Sequence, residues 1–495
     1  GDNLPDFIDI AALAGVDQSN NAGHGAVFID YDNDGDQDLF ITNLGANGLF
    51  QNQLIESGNA IFRNATAGSG LRDIGRAVTA AWGDFDNDGF LDVYLAKHLP
   101  CSPNALIWNP DFADGIRDTR EAEDRLFRNN GNGTFRNVTH LLCEDGQAPC
   151  PQVLGLGFSP GWVDFDNDGD LDLYLVNDNI HLLMQPNVFW RNDRFDSTSG
   201  KWQFTDISQL TETDINANGM GLAIGDYDND GRFDFAFSNI GANYLLHNDN
   251  DTFFSNRSEL AGIQRTRLAI SDNPISVIWG TVFLDADNDC WLDLFIVAGF
   301  LPVFDNTFQP NIFFKNNRDG TFSDMSSASG LDHPGNGRNA SIVDFDNDGL
   351  LDIFVGNLGE PPLLYHNRST KNGGQANWLS ITVEGAVSNR DGIGTRLELE
   401  TANGLTQIRE IGSGPTHGGG DYRMAHFGLA EFDRGHLTVR WPGGMVEDYG
   451  VVLAGQHLHL KEEGTAEPLD PLPVEFSLEQ NCPNPFNGST IINYT

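Results

Sequence analysis

The sequence predicts an all-β chain in which a β-propeller, with six blades favoured, precedes a small β-sandwich-like domain. Three observations carry that reading. A nine-residue pattern, Asp-x-Asp-Asn-Asp-Gly-x-x-Asp, occurs five times, and a sixth copy has Cys in place of Gly. Short apolar runs of strand composition flank each copy, such as Ala26-Val27-Phe28-Ile29 before the first and Leu39-Phe40-Ile41-Thr42 after it. No stretch of helical periodicity competes with them.

Within each pattern, positions 1, 3, 5 and 9 are carboxylates. They are Asp30, Asp32, Asp34 and Asp38 in loop 1, Asp84, Asp86, Asp88 and Asp92 in loop 2, and Asp164, Asp166, Asp168 and Asp172 in loop 3. Loop 4 has Asp226, Asp228, Asp230 and Asp234, loop 5 Asp285, Asp287, Asp289 and Asp293, and loop 6 Asp344, Asp346, Asp348 and Asp352. Four anions this close repel one another unless a cation sits among them. An all-oxygen donor set without His or Cys suits a hard divalent ion, and Ca²⁺ fits best, at about six sites. Position 4 is Asn in every copy, and position 6 is Gly except for Cys290. Asn and Gly tolerate the left-handed backbone needed to wrap an ion. Position 7 varies freely (Asp36, Phe90, Asp170, Arg232, Trp291, Leu350), as expected where only a backbone carbonyl is offered. An EF-hand would need Glu at position 12, where this chain has Ile41, Leu95, Leu175, Phe237, Ile296 and Val355.

The loops recur at intervals of 54, 80, 62, 59 and 59 residues, and their surroundings recur with them. After each comes an apolar segment ending in Asn, from Leu49-Phe50-Gln51-Asn52 to Leu364-Tyr365-His366-Asn367. In five units a Phe-containing strand follows, as in Phe62-Arg63-Asn64 and Phe322-Ser323-Asp324. Four short strands per unit read as propeller blades. The sixth unit lacks its fourth strand, and Phe7-Ile8-Asp9-Ile10 is expected to supply it and close the ring. Seven blades would follow only if one blade had lost its motif.

These repeats resemble the FG-GAP/VCBS family, whose calcium-loaded propellers occur in integrin heads and in secreted bacterial proteins; the resemblance covers residues 1–370. After Lys371-Asn372-Gly373-Gly374 a new β pattern begins at Trp378. Asn389-Arg390-Asp391-Gly392-Ile393-Gly394-Thr395, Arg409-Glu410-Ile411, His426-Phe427-Gly428-Leu429 and Val439-Arg440-Trp441-Pro442-Gly443-Gly444 then follow in order. That set, over residues 371–465, resembles the ASPIC/UnbV domain found beside VCBS repeats. Residues 466–495 read as an extended tail, in which Phe476–Asn487 is similar to the start of a type IX secretion sorting domain and implies export from a Bacteroidota-type bacterium.

Net charge is −43, from 71 acidic against 28 basic residues, five of them Lys. Nucleic acid and anionic membrane are therefore poor partners. No apolar run is long enough to span a bilayer. Gly1-Asp2-Asn3 reads as the start of a processed chain. Five Cys suit an oxidising compartment; Cys143 and Cys150 are the closest candidate pair, with Cys101 as an alternative partner for either and free thiols as the plain alternative. Gly157-Phe158-Ser159-Pro160-Gly161 matches a nucleophile-elbow pattern, yet it leads into a strand rather than a helix. His417, His426, Arg409 and Arg423 form the one His/Arg grouping, read as polar packing in preference to an acid/base pair. No catalytic or organic-cofactor residue is assigned.

The expected function is that of a secreted or cell-surface calcium-binding adhesion, matrix or assembly protein. Its partner would be an extracellular glycan or protein, or further copies joined through the β-prone end Ser489–Tyr494. A carbohydrate-active enzyme, such as a lyase or dehydratase, is the alternative.

Overall fold

A computed structural model describes residues 8–18, 22–59, 61–98, 123–143, 153, 155–179, 185–196, 201–264, 277–300, 309–370, 376–412, 423–462 and 465–468. Cys101, Cys150, His417, Phe7 and the whole segment 476–495 lie outside the described residues.

Six antiparallel sheets follow one another along the chain. Blade 1 pairs Ala22–Ile29, Asp38–Leu44, Gly48–Asn52 and Phe62–Asn64 in that order. Blade 2 uses Ala77–Gly83, Asp92–Lys97, Arg125–Asn129 and Phe135–Asn137, and blade 3 Gly157–Val163, Asp172–Asn177, Val188–Asp196 and Lys201–Asp206. Blade 4 uses Leu222–Gly225, Asp234–Phe237, Tyr244–Asn248 and Phe254–Asn256, and blade 5 Val277–Leu284, Asp293–Gly299, Ile312–Asn316 and Phe322–Asp324. Blade 6 has three strands among the described residues, Gly337–Val343, Asp352–Asn357 and Leu363–Tyr365. From blade 1 to blade 6 each inner strand packs on the next, which makes the assembly a β-propeller. Ser159 is buried inside the inner strand of blade 3, so the elbow-like pattern is a strand and presents no nucleophile.

The cement between blades is aromatic. Phe40, in the second strand of blade 1, meets Trp82 of blade 2 edge-on at 5.4 Å, and Tyr174 of blade 3 stacks on Phe235 of blade 4 at 4.6 Å. At the seam between blades 6 and 1 the corresponding residues are Phe354 and Phe28, which stay 38% and 53% exposed. Ile8–Ile10 form no strand there, so the expected closing strand is absent from its described part.

Even so, the residues after it behave as the sequence pattern requires. In blades 1, 4 and 5 the fourth strand is followed by a one-turn helix and a left-handed Gly: Gly70, Gly262 and Gly330. A Cβ on Gly70 would lie 2.4 Å from the carbonyl oxygen of Phe135 in blade 2, and one on Gly262 would lie 3.4 Å from that of Phe322 in blade 5. Gly15, after helix Ala11–Ala14, takes the same place against Phe62 of blade 1, at 2.9 Å. The N-terminal turn thus occupies the position of a turn leaving blade 6. Among the described residues nothing lies within 4 Å of a Cβ on Gly330.

Beyond the propeller, two four-stranded sheets face each other. One orders Ala425–Ala430, Asn377–Glu384, Gln456–Lys461 and Thr465–Pro468; the other orders Thr406–Glu410, Arg396–Thr401, Arg434–Arg440 and Val446–Leu453. Leu379, Ile381, Leu397, Leu399, Phe427 and Trp441 fill the space between them, forming a β-sandwich.

Gly262 and Gly70 make a paired test. Gly262→Ala, whose Cβ would meet the Phe322 carbonyl at an ordinary 3.4 Å, should cost about 1–2 kcal/mol, the left-handed backbone penalty alone. Gly70→Ala should cost clearly more, since the Phe135 carbonyl must also move. Chemical denaturation of both variants measures the difference, and equal costs would contradict the packing described.

Candidate metal loops and the face they form

Each acidic loop joins the first and second strands of its blade, and all six have one backbone design. Asn at position 4 is left-handed in every loop, with φ from 52° at Asn87 to 60° at Asn33 and Asn167. Position 6 is left-handed too, and Cys290 adopts φ 79° beside glycines at 85° to 101°. This costs Cys290 about 1 kcal/mol relative to Gly without altering the loop. The first Asp accepts from the backbone N–H groups of positions 5 and 6, as Asp30 does from Asp34 and Gly35 at 3.1 and 3.0 Å. The ninth Asp accepts from the backbone N–H of the recurring Asn, from Asn52 to Asp38 at 2.7 Å through Asn367 to Asp352 at 2.7 Å.

That Asn also ties blades together. The Nδ2 groups of Asn129, Asn192, Asn316 and Asn367 donate to carbonyls of the preceding blade's loop, at Tyr31, Phe85, Tyr227 and Ala286. In parallel, position-4 Asn side chains reach the next loop: Asn33 to Gly89, Asn87 to Gly169, Asn229 to Cys290 and Asn288 to Gly349. Among the described residues both ladders skip the same two junctions, between blades 3 and 4 and between blades 6 and 1.

The sandwich occupies those junctions. At the first, Arg396 Nη2 donates to the Gly231 carbonyl at 2.8 Å, Glu410 accepts from the Asp164 N–H at 3.2 Å, and Ile408 joins the core that holds Phe165 and Phe233. At the second, Asp391 accepts from the Asp30 N–H at 2.9 Å, Arg423 donates to the Phe28 carbonyl, and Trp378 lies against Gly349. The loop carrying Asp391 is held by the buried Glu462, whose carboxylate accepts from the N–H groups of Ala386, Val387 and Ser388 at 2.6–2.8 Å. At loop 5, His426 Nε2 donates to Asn288 Oδ1 at 2.9 Å, and the Ala430 N–H donates to the Asn288 carbonyl at 2.8 Å. Burial, then Arg409, hold His426 down to about 3, so it is a neutral packing residue. Arg409 is half-buried and donates to the His426 carbonyl at 3.1 Å.

Electrostatically the loops are strained. In loop 1, burial and then the neighbouring Asp32, Asp34 and Asp30 push Asp38 up to about 9. Burial and then Asp391 raise Asp30 to about 7. Burial and then Asp164 raise Glu410 to about 8. Seven buried carboxylate oxygens in loops 1–4 have no hydrogen-bond partner: Asp32 Oδ1, Asp34 Oδ2, Asp36 Oδ1, Asp38 Oδ2, Asp86 Oδ1, Asp166 Oδ1 and Asp228 Oδ1. Orphaned anionic oxygens gathered within one loop are the donor chemistry of a hard cation site. Asp30, Asp32 and Asp38 bring one oxygen each within 4.8 Å of one another, as do Asp84, Asp86 and Asp92.

Further side chains, absent from the sequence-based site list, reach the loops from the residue before the recurring Asn. Gln51 donates to Asp32 at 2.7 Å, Arg128 pairs with Asp86 and Asp88, His247 lies 3.1 Å from Asp234, and His366 lies 3.0 Å from Asp346. The signal was their fixed offset from Asn, set against loops that looked complete without them.

Fold and loops together define a propeller with one acidic loop per blade and a β-sandwich set over the loop face. The FG-GAP-like repeat model matches residues 16–95, 109–175, 164–237 and 285–355, more than half of the chain, and the ASPIC and UnbV model matches residues 385–467. The chain belongs to the FG-GAP-like repeat family and carries an ASPIC and UnbV domain. It is similar to cartilage acidic protein 1 of Xenopus tropicalis, 22% identical over 485 residues that cover 86% of this chain and 71% of the frog protein. The human protein of that name is 24% identical over 287 residues, covering 54% of this chain and 40% of its own length. Among solved structures, an Agrocybe aegerita lectin that recognises non-reducing terminal N-acetylglucosamine aligns at 16% identity and a TM-score of 0.39, covering 75% of this chain and 88% of the lectin. The Vibrio cholerae biofilm matrix protein Bap1 aligns at 9% and 0.33, covering 88% and 68%.

The raised carboxyls set a pH dependence. A group whose folded pKa exceeds its unfolded value of 3.8 binds extra protons in the native state, so stability falls as pH rises from there through the folded value, about 9 for Asp38. In EDTA the melting temperature should therefore be higher at pH 5 than at pH 8. Excess calcium should flatten or reverse that slope, because the ion requires the deprotonated ligands.

Proposed function

We propose that the chain is an extracellular, matrix-type structural protein whose propeller is held together by calcium. The observation that carries this reading is the set of orphaned carboxylate oxygens in the acidic loops, above all the four in loop 1. The ligands would be the carboxylates at positions 1, 3, 5 and 9 and the backbone carbonyl at position 7 in the loops of blades 1, 2, 3, 4 and 6. Bound calcium would neutralise carboxylates that otherwise repel and would join the first and second strands of each blade. The similarity to cartilage acidic proteins supports an extracellular setting. No helix among the described residues is long and apolar enough to cross a membrane. Secretion, with type IX export in a bacterium, is part of the same reading, as is a glycan or protein partner, or self-assembly through residues 476–495.

Affinities on the order of 10⁻⁴–10⁻³ M are expected for extracellular sites. A site filled at about ten times its Kd adds roughly 1.4 kcal/mol, so several sites together should raise the melting temperature by many degrees over an EDTA-treated sample. Asp38→Asn should remove part of that calcium-dependent gain while keeping the hydrogen bond from Asn52. An unchanged melting temperature in EDTA would overturn the calcium reading. For assembly, deleting residues 471–495 should abolish multimers seen by light scattering; undiminished multimers would remove the tail from the mechanism.

A further inference from the structure

We infer that the acidic loop of blade 5 does not take calcium: Lys315 supplies its cation from within the chain. This rests on the calcium reading of the other loops. The Lys315 ammonium lies 2.8 Å from Asp287, 2.9 Å from Asp289 and 3.1 Å from Asp293, so it contacts three of the loop's four carboxylates at once. Arg318 adds a second cation to Asp289 at 2.7 Å. The fourth carboxylate, Asp285, is satisfied by the N–H groups of Asp289 and Cys290 at 2.9 and 2.8 Å.

The orphaned oxygens make the contrast. Loops 1–4 each contain at least one buried carboxylate oxygen without a partner, whereas the carboxylates of loops 5 and 6 contribute none; what separates those two is that His366 pairs with Asp346 in loop 6, while Lys315 reaches three carboxylates of loop 5. Arg128 in loop 2 also approaches its carboxylates, but it reaches two of the four and leaves Asp86 Oδ1 bare. A compact ammonium on a flexible stem can enter the space among the oxygens, which a planar guanidinium at the rim cannot do. Cys290 is not what sets loop 5 apart, since its backbone follows the glycine pattern.

Lys315 and Gln51 hold the same place in their blades, each immediately before the recurring Asn and each bonded to the Asp at position 3. The two loops can therefore be interconverted. Calcium bound per chain, measured by elemental analysis after equilibrium dialysis, should rise by one in Lys315→Gln and stay at the wild-type value in Lys315→Arg. In Gln51→Lys it should fall by one. Asp289→Asn should leave the wild-type count unchanged, whereas Asp34→Asn, at the same position of loop 1, should lower it. A wild-type chain that binds calcium, but keeps the same count in Lys315→Gln and loses one ion in Asp289→Asn, would overturn the inference. A wild-type chain that binds none would instead overturn the calcium reading. Melting curves of each variant show whether it is folded, and a calcium anomalous-scattering map of the wild-type crystal reads loop 5 directly without any substitution.

Discussion

The constraint on which the rest depends is carboxylate crowding on one face of the propeller. Six loops each bring four Asp side chains together between two strands, and the sandwich adds Asp391 and Glu410 behind two of them. Like charges so close must be neutralised by protons or by cations. The backbone fixes the loop shape that creates this crowding. The left-handed residues at positions 4 and 6 turn the chain inward, and the first Asp fixes that turn through two N–H groups. Without a cation the same geometry stores repulsion, which is why burial and neighbouring acids raise these carboxyls so far.

That face is also where the second domain earns its place in the architecture. The Asn ladders bind blades 1–3 and blades 4–6 into two triplets and skip the junctions between them. At one junction Arg396, Ile408 and Glu410 stand in; at the other, Asp391, Arg423 and Trp378 do. The sandwich is thus a staple across two interruptions in the ring. Three of the four segments by which its family is recognised, around Asp391, Glu410 and His426, are its contacts with the acidic loops. Their sequence pattern reflects docking, and the neutral, buried His426 accords with that role better than with proton transfer.

Much of this was legible in the chain. The repeat counted six blades correctly, because Asn and Gly at positions 4 and 6 report backbone conformation directly and the flanking runs report strands. What was not legible depended on distance in sequence. Nothing near Asn389–Thr395 says that Asp391 will sit under Asp30, 361 residues away. The expectation of a closing strand from Phe7-Ile8-Asp9-Ile10 rested on similarity to Phe322-Ser323-Asp324. The turn after it docks as expected at Phe62, while Ile8–Ile10 remain outside any sheet and Phe28 and Phe354 do not meet. In the sequence the visible departure in loop 5 is Cys290, the residue that breaks the motif, although Lys315, 25 positions later, is the residue that changes its chemistry.

Loop 5 also shows why one site in such a ring can differ in kind from the others. The sandwich is seated tightly there: Asn288 is fully buried, bonded by both His426 and Ala430, and Gly428 lies so close that a Cβ there would be 2.0 Å from Asp285 Oδ2. A contact this tight needs a loop of fixed shape. A loop that depends on a dissociable ion at submillimolar to millimolar affinity changes shape with the surroundings, whereas one closed by a covalently tethered ammonium does not. Tethering removes the concentration dependence at the cost of the stronger field of a divalent ion. The remaining imbalance at loop 5 is met by Arg318, which brings the local cationic charge to two, the charge a calcium ion would have supplied.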